Sequence, residues 1–286
     1  MNLEKTVKQA SLKLKKHNIP SYALDAEIIL SNIMKVSREY LITNNHDKIS
    51  KEIIKKYHFA IKRRINREPV AYITGKKEFW SEDFVVSGAT LVPRPETELV
   101  LYRLVEYFRN KKINILDIGT GTGCILLSLL KNLNFSRGIG IDISAKAVQI
   151  AKINSNRLDL IDRAKFQVCD LVKYRTGKFD LIVSNPPYIP SKDIKNLSKD
   201  ITNYEPRIAL DGGVDGLDLI TKVIYKSSHL LKRNGLFAIE IGFDQYKRVS
   251  SILKNCGFRE MSKEYDYNQN VRCIISTKMS FFNLKR

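Results

Sequence analysis

Seven consecutive residues, Asp117-Ile118-Gly119-Thr120-Gly121-Thr122-Gly123, stand between an apolar run ending at Ile118 and a helix-forming run opening at Cys124. Glycines at alternate positions permit positive φ and let a ligand lie against bare backbone. The helix that follows offers unpaired N–H groups at its start. The dinucleotide fingerprint G-x-G-x-x-G is absent, because Cys124 stands where its third glycine would be. Asp142 ends the next apolar run, 23 residues after Gly119. From that place a carboxylate can accept both hydroxyls of a ribose. Capping the next helix is the plainer use of such an aspartate, but Ser144 suits that task. Asp170 ends a further run in the same way, where a solvated loop aspartate competes with a role beside a bound base.

The second constellation is Ser184-Asn185-Pro186-Pro187-Tyr188-Ile189-Pro190, directly after the apolar run 179–183. Two prolines fix the backbone and remove two donors, which leaves the Pro186 carbonyl as a bare acceptor. Asn185 adds a side-chain carbonyl. Together they match the two N–H bonds of a planar –NH2 group, and Tyr188 supplies a flat surface for stacking. A rigid turn without function would not need the strand, the asparagine, the double proline and the aromatic together.

Elements must hold these residues in place. Residues 1–75 read as helices: Leu3, Val7, Ala10 and Leu14 recur at helical spacing, then Leu24, Ile28, Leu30 and Ile33. A third run opens at Ser50, an expected N-cap, carries Ile54, Tyr57, Ile61 and Ile65, and ends at Pro69. Between 76 and 95 the short β-prone pieces around Phe79 and Phe84 suggest a hairpin-like linker. From 96 onward strands alternate with helices. Strands are expected at 113–118, 138–143, 166–169, 179–184 and 236–241, and a closing antiparallel pair at 258–263 and 271–276. That order predicts a mostly parallel sheet covered on both faces, with ligands beyond the carboxyl ends of its strands. The expected organisation is a helical domain at 1–75, a linker at 76–95 and an α/β domain at 96–286, with the segment after about Thr277 unplaced.

The 286 residues are 43% hydrophobic and 28% charged, a globular balance that excludes a disordered or fibrous chain. No apolar run reaches the roughly 18 residues of a membrane span, and the first residues do not resemble a signal peptide. Four scattered cysteines form no C-x-x-C pair, and the four histidines form no i, i+3 or i+4 pair. No metal is expected, and a reducing cytoplasm fits best. The formal charge is +19, and its density is about twice as high over 1–75 as beyond. Attraction to nucleic acid or an acidic partner and a merely lysine-rich composition both accommodate that excess.

The glycine spacing G-x-G-x-G is the form found in methyltransferases that bind S-adenosylmethionine, and N-P-P-Y after a strand resembles those that modify exocyclic or amide nitrogens. Further stretches narrow the resemblance to the HemK/PrmC family. They are Glu68-Pro69-Val70-Ala71-Tyr72-Ile73-Thr74-Gly75, Leu91-Val92-Pro93-Arg94-Pro95-Glu96-Thr97-Glu98, Tyr204-Glu205-Pro206-Arg207 and Gly212-Gly213-x-Asp215-Gly216-Leu217. The likeness covers nearly the whole chain. It implies a Rossmann-like S-adenosylmethionine-dependent methyltransferase domain behind a small helical domain. The implied reaction is methylation of the side-chain amide nitrogen (N5) of glutamine in the Gly-Gly-Gln motif of class 1 peptide chain release factors, a step that supports translation termination.

Carried over residue by residue, the resemblance places Gly119, Thr120, Gly121, Thr122 and Gly123 against the cofactor, Asp142 on its ribose and Leu171 near its adenine. Related sequences often have an aromatic residue where Leu171 stands. Asn185, Pro186, Pro187 and Tyr188 would grip the glutamine, with Asn185 also close to the cofactor and Asn185, Pro186 and Tyr188 serving catalysis. Arg94 and Glu98, and Glu205 with Arg207, would shape the substrate mouth or else form structural salt bridges. The helices would dock the release factor. The runner-up reading is a nucleic-acid adenine-N6 or cytosine-N4 methyltransferase, which presents a similar turn to a flipped base. The remaining motifs speak against nucleic acid as the substrate. An inactive domain with a helical adaptor is a third reading, opposed by the intact loop, Asp142 and Asn185.

Overall fold

The computed structural model describes residues 1–279 of the 286. The chain divides into two compact units, one of Met1–Lys76 with Leu197–Glu205, the other of Lys77–Asn196 with Pro206 onward.

The first unit is helical: α1 (Leu3–Lys16), α2 (Tyr22–Met34), α3 (Arg38–Thr43), α4 (Lys51–Ile65) and α5 (Val70–Thr74). Side chains cap three of these helices. Asn2 Oδ1 accepts from Lys5 N at 3.0 Å, Ser37 Oγ from Tyr40 N at 3.2 Å and Ser50 Oγ from Ile53 N at 3.3 Å. Their apolar faces meet in a core of Leu3, Leu14, Ile29, Leu30, Tyr57 and Ile61. The face of α2 is rotated from the expected one: Ala26, Ile29 and Leu30 are buried, whereas Leu24 is exposed. The buried side is the one that meets α1 and α4.

One buried residue of α4 is a cation. Arg64 is 5% exposed; its Nε donates to Asp25 Oδ2 at 2.6 Å and its Nη1 to Asp200 Oδ2 at 2.7 Å. Tyr204 donates its hydroxyl to the Asn66 carbonyl at 2.7 Å. These bonds explain why Leu197–Glu205, including the short helix α9 (Lys199–Thr202) within it, belongs with the helices although it was expected in the α/β domain.

A hairpin, β1 (Lys76–Phe79) and β2 (Glu82–Val85), lies at the start of the second unit, with only its first residue counted in the first. It is no free linker. Phe79 and Phe84 meet edge to face, their centroids 6.0 Å apart, inside the core of the α/β unit. Then follow α6 (Glu98–Phe108), β3 (Asn114–Ile118), α7 (Cys124–Asn132), β4 (Arg137–Asp142), α8 (Ala145–Arg157), β5 (Ala164–Val168) and β6 (Phe179–Ser184). The chain closes with α10 (Asp218–Leu230), β7 (Leu231–Glu240), α11 (Tyr246–Asn255), β8 (Phe258–Tyr265) and β9 (Val271–Lys278). The sheet order is β5-β4-β3-β6-β7-β9-β8. The first five strands run parallel; β9 is antiparallel to both β7 and β8.

One apolar layer packs α6, α7 and α8 on one face of the sheet, and a second packs α10 and α11 on the other. The expected mostly parallel sheet with an antiparallel end is therefore the observed one. Thr277 and Lys278 belong to β9. The rest of the segment left unplaced, 280–286, lies outside the described residues. Among the described residues no helix is long and apolar enough to cross a membrane.

Replacing Arg64 by alanine leaves Asp25 buried without its cation. Loss of one partner from a buried pair costs about 3–5 kcal/mol. Urea unfolding followed by far-ultraviolet circular dichroism should show a loss of that order.

Candidate active site

A cavity of about 440 Å³ opens beyond the carboxyl ends of β3, β4, β5 and β6, a size suited to a cofactor or substrate. Gly119, Thr120, Gly121 and Thr122 line it after β3, Asp142 at the end of β4, Leu171 after β5, and Asn185, Pro186 and Pro187 after β6. The sheet order explains the place. Strand β3 lies between β4 and β6, so the connections on its two sides leave in opposite directions and open a crevice.

The glycine loop is stitched to β4. Gly119 and Thr120 both donate their N–H to the Ile141 carbonyl, at 2.9 and 3.0 Å. Gly119 and Gly121 have φ of +73° and +55°, where a side chain would be strained. Asp142 clamps the loop: Oδ2 accepts from Gly121 N and Oδ1 from Ser144 N, both at 2.9 Å. Each carboxylate oxygen keeps a further lone-pair site for a ligand hydroxyl. Ser144 caps α8 as expected, accepting from Ala147 N at 3.2 Å.

Gly123 differs from the expectation. It does not line the cavity but begins α7, and a Cβ there would stand 3.1 Å from Leu127, 3.2 Å from Phe166 and 3.3 Å from Ala151. The third glycine of the motif lets the helix pack close to its neighbours.

Beside the loop Asp117 is fully buried. Its Oδ2 accepts from Thr120 Oγ1 at 2.6 Å, and its Oδ1 has no partner. Burial pushes its pKa up to about 7 and the charge of Asp142 adds to the rise, against the Thr120 hydrogen bond. A positively charged ligand suits a loop flanked by these two carboxylates. The Asp142 carboxylate, the open backbone at Gly119 and Gly121 and the cavity's size therefore fit S-adenosylmethionine. Leu171 adds an apolar side chain to the cavity wall. Asp170 Oδ1 accepts from Val172 N at 2.9 Å and caps the turn Leu171–Lys173, although Asp170 also borders the cavity.

The N-P-P-Y turn is braced from behind. Gln245 Nε2 donates to the Tyr188 carbonyl at 2.9 Å and to the Gly216 carbonyl at 3.2 Å, while its Oε1 accepts from Gly242 N at 2.8 Å. A Cβ on Gly212 would lie 2.8 Å from Tyr188 Cα, and one on Gly216 2.3 Å from Tyr188 O. The Gly-Gly-x-Asp-Gly-Leu stretch exists to let this loop press against the turn.

Tyr188 is placed differently from the expectation, for it does not line the cavity. Its hydroxyl accepts from Arg272 Nη2 at 3.0 Å and lies 3.3 Å from Glu240 Oε1; the Arg272 guanidinium sits 5.5 Å from its ring centroid. These contacts fix the ring in place from its hydroxyl end. Burial and the Glu240 charge raise its pKa well above the usual phenol value.

Asn185 Nδ2 lies 3.2 Å from Thr97 Oγ1, and Thr97 Oγ1 lies 2.6 Å from Glu240 Oε2. Glu240 is 5% exposed, and burial raises its pKa. Thr97, Glu240, Gln245 and Arg272 were not singled out as site residues from the sequence. A lone acid in the apolar run 236–241 was the one available signal for Glu240. Arg94 lines the cavity; Glu98 instead accepts from Trp80 N at 3.1 Å. Arg207 pairs with Asp211 at 3.1 Å, and Glu205 falls within the helical unit.

Residues 5–75 match the PrmC N-terminal domain, and residues 109–274 match a methyltransferase domain. A protein of Clostridium acetobutylicum named release factor glutamine methyltransferase is 38% identical over 282 residues, covering 97% of this chain and 99% of that protein. One from Buchnera aphidicola subsp. Schizaphis graminum with the same name is 40% identical over 278 residues, covering 97% and 100%. A methyltransferase structure from Pyrococcus furiosus shares the fold, with a TM-score of 0.52 at 17% identity over 69% of this chain and 89% of that one.

Asp117 makes the ligand-free protein pH-sensitive. Its folded pKa of about 7 exceeds the ordinary 3.8, so the folded state holds this proton more tightly than the unfolded chain. The stability it contributes is complete below about pH 4 and is lost as the pH rises towards 7. Asp117→Asn cannot ionise. Its melting temperature should exceed that of wild type at pH 8 by on the order of 5 °C, with a clearly smaller gap at pH 5. Differential scanning calorimetry at both pH values checks this.

Proposed function

Since this chain belongs to the release factor glutamine methyltransferase family, we propose that it methylates the N5 amide nitrogen of the Gly-Gly-Gln glutamine in class 1 peptide chain release factors. The observation that carries this reading is the shared cavity: Asn185 and Pro186 line the same space as the glycine loop and Asp142. S-adenosylmethionine, when bound, supplies an electrophilic sulfonium methyl group. Gly119 to Thr122 and Asp142 hold it, with Leu171 as an apolar contact.

An amide nitrogen is a poor nucleophile because its lone pair is delocalised, and the N-P-P-Y turn contains no strong base. The chain therefore contributes positioning and electrostatics. Asn185 Oδ1 and the Pro186 carbonyl accept the two N–H bonds of the substrate amide, fix its plane and favour positive charge developing on nitrogen. Pro187 keeps the turn rigid. The excess proton leaves for solvent after transfer.

The helical unit supplies the docking surface for the whole factor. One face of α1 carries Lys5, Lys8 and Lys16 around Leu12, which is 51% exposed. A second contact raises the effective concentration of a weakly binding glutamine loop at the active site. The setting is the cytoplasm, where release factors act, and nucleic acid is not the methyl acceptor.

Asn185→Ala should lower methyl transfer by a factor on the order of 100 or more. Cofactor affinity by calorimetry should stay near wild type. Turnover close to wild type would refute the role of the turn. The docking surface is tested separately, with initial rates on an intact release factor, a Gly-Gly-Gln peptide, DNA and RNA across a salt series. Methylation of the factor should fall with salt more steeply than that of the peptide. Lys5→Glu, Lys8→Glu and Lys16→Glu together should slow the factor and spare the peptide. Methyl transfer to DNA or RNA alone would instead favour the nucleic-acid reading.

A further inference from the structure

The three polar residues behind Asn185 form a chain of hydrogen bonds whose direction is determined by chemistry. Arginine can only donate, so Tyr188 accepts from Arg272 Nη2 at 3.0 Å and turns its own hydrogen to Glu240 Oε1 at 3.3 Å. Thr97 has a single hydroxyl hydrogen, and at 2.6 Å from Glu240 Oε2 that hydrogen lies on the carboxylate. An ionised carboxylate only accepts, so both chains converge on Glu240. Towards Asn185, 3.2 Å away, Thr97 has only a lone pair left to offer. Asn185 must meet it with Nδ2. The carbonyl Oδ1 is thereby kept from Thr97 and available to the large cavity that Asn185 lines.

We infer that Thr97 and Glu240 are positioning residues that decide which way round the Asn185 amide stands, and so whether the turn accepts or repels a substrate –NH2 group. The inference rests on the reading that Asn185 receives the substrate amide. Glu240 acts through Thr97 rather than on substrate, because the space beside it is only about 10 Å³, room for one water at most. If Glu240 gains a proton or becomes an amide, the Thr97 hydrogen is released. Thr97 can then donate to Asn185 Oδ1, and the side chain turns its –NH2 towards the –NH2 of the substrate. Two donors then face each other.

The charged and titratable groups around Glu240 determine when this happens. Arg272 on β9 favours its ionised form, whereas Glu96, in the turn before α6, opposes it. Cys124 on α7 and Cys273 on β9 both feel its charge; burial pushes Cys124 up to about 12 and Cys273 well above the ordinary thiol range, so both stay neutral. The Tyr188 hydroxyl, also raised, stays protonated and donates. Burial outweighs Arg272, so Glu240 takes up its proton at a higher pH than an ordinary carboxylate. Turnover should therefore fall on the acid side as the pH drops through that point.

The test uses full-length Thr97→Val, Thr97→Ser and Glu240→Gln with a release factor and S-adenosylmethionine. Thr97→Val and Glu240→Gln should each lower kcat on the order of 10–100-fold, with cofactor affinity by calorimetry unchanged. Thr97→Ser should recover most of the rate. The acid limb of wild-type kcat should be missing from Glu240→Gln. Independently of turnover, the side-chain 15N amide signal of Asn185, assigned with Asn185→Asp, should shift as Glu240 titrates in wild type and not in Thr97→Val. Wild-type kcat in Thr97→Val, or an Asn185 signal indifferent to both residues and to pH, would overturn the inference. A wild-type enzyme that methylates no release factor would defeat the proposed function instead, and the amide signal would still decide the orientation of Asn185.

Discussion

The pairing of β3 with β4 on one side and β6 on the other is the constraint on which the active site depends. In the β3–β6 register Ile118 lies opposite Ser184, so Gly119 and Asn185 are the first residues beyond their strands. The glycine loop and the N-P-P-Y turn thus emerge at one level, side by side. In the β3–β4 register Ile118 faces Ile141, whose carbonyl collects the N–H groups of Gly119 and Thr120. The loop has its shape because the sheet has its register. From α8, Asn154 adds a second stitch, donating to the Thr122 and Val85 carbonyls and accepting from Val85 N. The hairpin β1–β2 is joined to the glycine loop through one buried amide.

Reaction at an amide nitrogen makes rigidity the main resource of this site. With no base to form a better nucleophile, the rate depends on holding a planar group at the right angle, and small displacements are costly. The turn carrying Asn185 is accordingly restrained several times over. Its prolines restrict φ, Gln245 holds its carbonyl end, Gly212 and Gly216 approach too closely to carry a Cβ, and Glu240 with Arg272 holds Tyr188. Buried polar groups are tolerable there because nearly every one has a partner of defined direction.

Much of this was legible in the sequence because it is written locally. Strand and helix periods, the Ser50 and Ser144 caps, the glycine loop, Asp142 and the double proline each depend on neighbours a few residues away. The helical face of α2, the inward turn of Gly123 and the role of Tyr188 were not. Each depends on what packs against it from elsewhere in the chain: α1 and α4 for α2, Phe166 and Ala151 for Gly123, Arg272 and Glu240 for Tyr188. Tyr188 shows the difficulty most plainly. An aromatic beside two acceptors gives no hint that an arginine 84 residues away holds its hydroxyl. Glu240 and Thr97 lie 143 residues apart and carry no shared motif that would connect them.

The boundary between the units shows why a cut in the sequence is not a cut in the structure. After the N-P-P-Y turn the chain runs to Asn196, folds with the helices over Leu197–Glu205, and returns at Pro206 to the α/β unit, where Pro206, Ile208 and Ala209 line the cavity. The middle stretch is held by Arg64 and Asn66, both residues of the first 75. Excising those 75 residues would do more than remove the proposed docking surface. It would strip Asp200 of its cation and Tyr204 of its acceptor, and so loosen a segment that leads directly into the cavity wall. Loss of activity in such a truncation would confound docking with disorder of the wall. Charge reversal on the exposed face of α1 separates the two, because Lys5, Lys8 and Lys16 are exposed and take no part in the Asp25–Arg64–Asp200 network.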